Sequence, residues 1–233
     1  MARRRTRNPQ LRDRDWEILD HLARYHMTTP DVLHRLFWHD DDGRTAVTKV
    51  TSRLSDYGYL TRHSFIHPKS YFGLGPNGTK ALGIPKSRSK HLGPQALCAS
   101  YGVLAYCCLQ EVRQERLTVR ELQDHNPEYV QKGVESSPYY LHTEGERTSL
   151  AFIRVDGGGS VDHVVRKCKR DFQRRHKLAA FRELIEQGRF DIAVVTGVVP
   201  QDAKAKEIEE ALQCQNLPVR FHVASVPDLV ELW

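Results

Sequence analysis

The 233-residue chain is 39% hydrophobic and 27% charged, ordinary proportions for globular protein and enough length for one large domain or two small ones. No apolar run approaches the ~18 residues of a membrane span, and the basic start MARRRTRNPQLR leads into no apolar signal core, so a cytoplasmic protein is expected. The formal charge of +6 is unevenly placed, with 17 Lys+Arg against 9 Asp+Glu in residues 1–90 and 18 against 20 beyond; a concentrated cationic segment attracts polyphosphate without reading sequence.

Residues 1–11 carry Arg3, Arg4, Arg5 and Arg7 with nothing apolar to anchor them, which predicts a disordered basic arm able to lie in a minor groove or along phosphates. From Asp13 the pattern turns helical, with Trp16, Leu19, Leu22 and Ala23 on one face and Ile18 beside it. A second helix opens at MTTPDVLHRLFW. Thr28 or Thr29 suits its N-cap, Pro30 its first turn and Asp31 its dipole. The acidic turn HDDDG breaks it. In RTAVTKVTSRLSDYGYL, Val47, Val50, Leu54 and Tyr57 form one apolar stripe. The opposite face sets Thr45, Thr48, Lys49 and Ser52 between Arg44 and Arg53, hydroxyls and cations with no carboxylate, a surface suited to a major groove. Gly58 is placed to end this helix at C′.

TRHSFIHPKSYFGL then reads as two strands around a turn at His67–Ser70, with Arg62, His63 and Lys69 near the tip. Helix, turn, helix and cationic hairpin in that order predict a winged helix-turn-helix over residues 12–84. IPKSRSKHLGP makes residues 85–94 a linker. The apolar helix that follows, over 95–112, is either core or a surface shared by a homodimer. Residues 117–137 read as loop with at most one short element. Beyond Pro138, two adjacent strands turn at Gly145, a long helix runs from Ser160 to Gln187, and strand, helix, strand and a short closing helix follow, an α/β rhythm with a partly parallel sheet over 95–233.

The order LRDRDWEILDHLARYHMTTPDVLHRLF, RTAVTKVTSRLSDYGYLTR, YFGLGPNGTKAL resembles the replication-relaxation family of winged-helix proteins of bacterial plasmids and integrative elements, chiefly over the first ~85 residues. AFIRVDGGG, a Lys/Arg-rich helix and IAVVTGVV resemble that family's second half. The resemblance implies a restriction-endonuclease-like fold there, whose active members place an acid on one strand and Glu-x-Lys on the next to hold a divalent metal. In this chain Ile153-Arg154-Val155-Asp156 puts an arginine where a metal-binding acid would stand. The fold class expected is therefore α+β, a winged helix-turn-helix followed by a degenerate nuclease-like α/β domain, with no enzymatic activity, no cofactor and no metal.

The expected function is sequence-specific binding of double-stranded DNA, as a transcriptional regulator or as a plasmid or mobile-element replication or mobilisation factor. Contacts are assigned to Arg3, Arg4, Arg5, Arg44, Thr45, Thr48, Lys49, Ser52, Arg53, Arg62, His63 and Lys69. Two alternatives stand beside it: a metal-dependent nuclease using Glu144, Glu146 and Asp156, and a winged-helix module that binds protein. The five cysteines show no CxxC spacing, against a disulfide framework or zinc knuckle. GGGS at 157–160, between a strand and a helix, is either a phosphate cradle or a tight turn. The Lys/Arg run of the long helix is a solvated face or a second DNA-backbone surface.

Overall fold

The computed structural model describes residues 10–38, 43–198 and 203–233; the arm residues Arg3, Arg4 and Arg5 and most of the acidic turn lie outside them. The molecule is mixed α+β, with a two-stranded and a five-stranded sheet, and divides into two compact units, Met1–Leu92 and Gly93–Trp233.

The first unit opens with α1 (Asp13–Tyr25), α2 (Pro30–Phe37) and α3 (Gly43–Asp56). Thr29 caps α2 by accepting from Val32 N at 3.3 Å, with Pro30 at the first turn. The end of α3 is a Schellman motif: Tyr59 N donates to Leu54 O and Gly58 N to Ser55 O, both at 2.9 Å, with Gly58 at φ +70°. Strands β1 (Leu60–Ser64) and β2 (Ser70–Leu74) pair antiparallel, Leu60 opposite Leu74. Thr28 adds a bridge on the outer side of β2, exchanging both backbone bonds with Phe72, so the hairpin is tied to the α1–α2 connection. Helix α4 (Pro76–Ala81) follows. Gly75 at its start leaves no room for a Cβ, which would meet Gly58 O at 2.2 Å. Ile18, Leu22, Leu33, Val47, Leu54 and Phe72 meet in the core.

Two expectations change here. Trp16 is 39% exposed, whereas Leu19 and Leu22 of the same expected face are buried together with Ile18. Residues 86–92, read as linker, fold onto the first unit: Arg88 bonds Ala23 O and the His26 ring, and Leu92 N donates to Tyr71 Oη at 3.3 Å.

The second unit carries α5 (Pro94–Leu109), β3 (Arg116–Leu117), α6 (Val119–His125), β4 (Tyr139–Glu144), β5 (Arg147–Val155), α7 (Val161–His176), α8 (Ala179–Glu186), β6 (Phe190–Gly197), α9 (Ala203–Gln213) and β7 (Arg220–Val226). Sheet order is β3-β4-β5-β6-β7, with β4 antiparallel to both neighbours and β5, β6 and β7 parallel. Side chains alternate between faces. Phe152, Phe190, Ile192 and Val194 meet Cys168 of α7, Phe181 of α8 and Leu212 of α9 in one core. On the other face lie the small side chains of Ala151 and Ala193, where Gly102 of α5 sits directly against Val155. Tyr106 Oη and Tyr140 Oη share a 2.7 Å hydrogen bond there.

The expected long helix is two, because the chain leaves helical geometry at Leu178 (ψ 127°), which turns Phe181, Leu184 and Ile185 into the core. A capped helix, α6, occupies part of the predicted loop. Thr118 and Glu121 close its capping box. Helix α5 buries Tyr101, Val103, Leu104, Ala105, Tyr106 and Cys107 within the chain. Its apolar surface is therefore core, and the homodimer reading loses the free helix it rested on.

Candidate nucleic-acid interface

The inner side of α3 buries Val47, Thr51 and Leu54. Helical period then turns Arg44, Thr45, Thr48, Lys49 and Ser52 outward, and all five are exposed. Thr48 Oγ1 donates to Arg44 O at 3.0 Å, which leaves its methyl and remaining lone pair facing solvent. Beside this row the hairpin presents Arg62, whose Nε donates to Ser70 Oγ at 2.9 Å. Thr48, Ser52, Asp56, Arg62 and Ser70 line one groove. Ser70 was not singled out in the sequence; the hairpin register, which sets it across from Ser64 on the face of Arg62, reveals it.

Arg53 and His63 belong elsewhere. Arg53 Nη2 lies 2.5 Å from Asp15 Oδ1, and Asp15 is 2% exposed. The same carboxylate accepts from Arg12 N at 2.9 Å at the start of α1. Arg53 thus ties α3 to α1. His63 alternates to the hairpin face opposite Arg62, stacks on Tyr71 at 4.9 Å and approaches His91 at 5.8 Å. Burial, then the charge of His91, lowers its pKa, so it stands neutral at neutral pH. Lys69 is exposed in the hairpin turn.

The acids of the nuclease alternative are not brought together. Glu144 and Glu146 flank the β4–β5 turn, whereas Asp156 follows the far end of β5, roughly 30 Å away at ~3.3 Å per residue. Asp156 is buried and saturated. Its Oδ2 meets Lys204 Nζ at 2.5 Å and Thr196 Oγ1 at 2.9 Å, while Oδ1 accepts from Gly158 N and Gly159 N at 3.0 and 3.2 Å. Two amides of the glycine run therefore hold this carboxylate, which accounts for them as a turn. Glu144 pairs with Arg220 at 2.9 Å and Arg154 with Asp171.

A second buried acid, Asp191, accepts from Arg147 at 2.8 Å and from Ser149, with His222 at 3.6 Å. Burial pushes its pKa up, but the nearby His222 ring and the bonds from Arg147 and Ser149 outweigh that and hold it at about 2. Among the described residues, no three His, Cys, Asp or Glu side chains are arranged to hold a metal ion, and no helix is long and apolar enough to cross a membrane.

No protein-family model, curated protein or solved structure matches this chain. The functional reading rests on the side chains themselves.

Proposed function

We propose that the protein binds double-stranded DNA sequence-specifically, its first unit acting as a winged helix-turn-helix with α3 in the major groove and the hairpin as wing. The observation that carries this is the outer face of α3, where Arg44, Thr45, Thr48, Lys49 and Ser52 are exposed together with no acid among them, beside Arg62. Arginine and lysine donate to guanine, hydroxyls bond to bases or phosphates, and a threonine methyl packs on thymine. The bridge from Thr28 to Phe72 supports the winged reading, since it ties the hairpin to the α1–α2 connection.

The mixed five-stranded sheet with helices on both faces supports reading the second unit as nuclease-like, without nuclease chemistry: its carboxylates are apart and its best-placed acid is saturated. A role in transcription control, or in plasmid or mobile-element replication or mobilisation, follows from the resemblance to the replication-relaxation family alone.

Selection of bound duplexes from a random library tests the reading. An enriched motif is expected, and Arg44→Ala with Lys49→Ala should erase the preference, at about 1–3 kcal/mol per lost bidentate base contact. Absence of any enriched motif, or binding insensitive to salt, would point to a protein-binding module instead. Cleavage of DNA with Mg²⁺ or Mn²⁺ that is lost on Asp156→Ala would overturn the non-enzymatic reading.

A further inference from the structure

Helix α7 buries Val164, Cys168, Asp171, Phe172 and Arg175. Its outward side carries Arg166, Arg170 and Arg174 at i, i+4 and i+8, and Lys177 follows at i+11; all four are exposed. At 100° per residue these fall within about 80° of the helix circumference, over roughly 17 Å of axis. The row is not a by-product of composition, because the second unit as a whole holds 18 Lys+Arg against 20 Asp+Glu. Among the described residues it is not laced with counter-charges as other surface helices of this unit are. On α6, Arg120 pairs with Asp124 at 3.6 Å, and on α9 Lys206 pairs with Glu210 at 3.9 Å. The acids of α7 are Asp162 in its first turn and Asp171, which faces inward and holds Arg154. Arg174 Nη1 donates to a carbonyl, Gly133 O, at 3.4 Å. Like charges at i, i+4 destabilise an isolated helix, so the row works against α7 unless an anion meets it.

We infer that the outer face of α7 is a second, sequence-independent docking surface for the phosphate backbone of duplex DNA. The inference rests on the proposed DNA binding: α3 selects the site, and Arg166, Arg170, Arg174 and Lys177 neutralise backbone phosphate. The partner is fixed by charge complementarity. A regular polyanion with one charge per ~1.7 Å of axis matches a linear row of cations without hydroxyl side chains.

The test uses the full chain and a duplex several helical turns long, titrated between about 50 and 200 mM salt. Arg166→Gln, Arg170→Gln, Arg174→Gln and Lys177→Gln are combined, and the melting temperature is recorded beside binding; removing like-charge repulsion should leave it unchanged or higher. The slope of log affinity against log salt should shrink by about 0.9 per contacting cation removed, with affinity falling at least tenfold and motif preference intact. Unchanged slope and affinity in a folded variant would overturn the inference while leaving the α3 reading untouched. Binding lost in the α7 variant but unchanged by Arg44→Ala with Lys49→Ala would support the inference and sink the α3 reading. A wild-type chain that binds no duplex at all overturns both.

Discussion

Helices α3 and α7 are built on one plan with different outer chemistry. Each has an inner cation held by the fold, Arg53 on Asp15 in α3 and Arg175 in α7, and an outer row left to solvent. The outer row of α3 mixes cations with threonine and serine hydroxyls, whereas that of α7 is mostly arginine and lysine, with His163 and Gln173 beside them. The mixture offers hydroxyls and methyls as well as cations to base edges, and the cation-rich row offers chiefly charge to phosphate. Two cationic helices thus suit different tasks, and in both the inner cation is structural.

The largest way to break that comparison is at Arg175. Its Nε donates to Tyr139 Oη at 3.0 Å, Nη1 to Asp171 O at 3.2 Å, and its guanidinium lies 3.8 Å over the Phe152 ring. Arg175→Ala should lower unfolding free energy by about 3–5 kcal/mol in chemical denaturation, as expected when a held polar network is truncated. Arg174→Ala, one residue along on the exposed side, should change it by less than about 0.5 kcal/mol. Equal effects would mean that the inner and outer rows are not distinct.

Next is Asp191. Held at about 2 against an ordinary 3.8, it contributes about 2 kcal/mol. That stability is fully present above pH 3.8 and lost as pH falls toward 2. Asp191→Asn should flatten the acid limb of an unfolding curve followed in this range.

Arg53→Ala should cost about 1–3 kcal/mol by leaving the buried Asp15 carboxylate with one partner fewer. In a folded sample it should leave base preference unaltered. Lost preference without lost stability would move Arg53 to the reading face.

The smallest effect belongs to His63. Its lowered pKa favours the neutral ring in the fold, so its contribution is present above the unfolded value near 6.5 and declines as pH falls below it. His63→Gln should reduce the pH dependence of stability between about pH 7 and 5 by under 1 kcal/mol, measured by thermal melts.

Local signals carried much of the fold. Gly58 announced the end of α3, Thr29 and Pro30 the start of α2, and Gly145 the β4–β5 turn. Period also placed Arg175 inward, at i+11 from Val164 and i+7 from Cys168, a signal masked by the run of cations around it. The break between α7 and α8 has no such mark. KLAAF contains no glycine or proline, and propensity favours continuing the helix; core packing of Phe181 and Ile185 decides otherwise.

The sequence by itself determined where α2 begins and α3 ends, which strands turn back and where cations cluster, because capping, alternation and period act between residues a few positions apart. Only the tertiary structure decided which charges remain available. Asp15 lies 38 residues from the arginine it holds, and Asp156 takes Thr196 from 40 residues away. Burial and pairing depend on what packs alongside, and no local pattern encodes partners at such distances. That is why Arg53 and His63 leave the proposed reading face, while Arg44, Thr45, Thr48, Lys49 and Ser52 remain exposed.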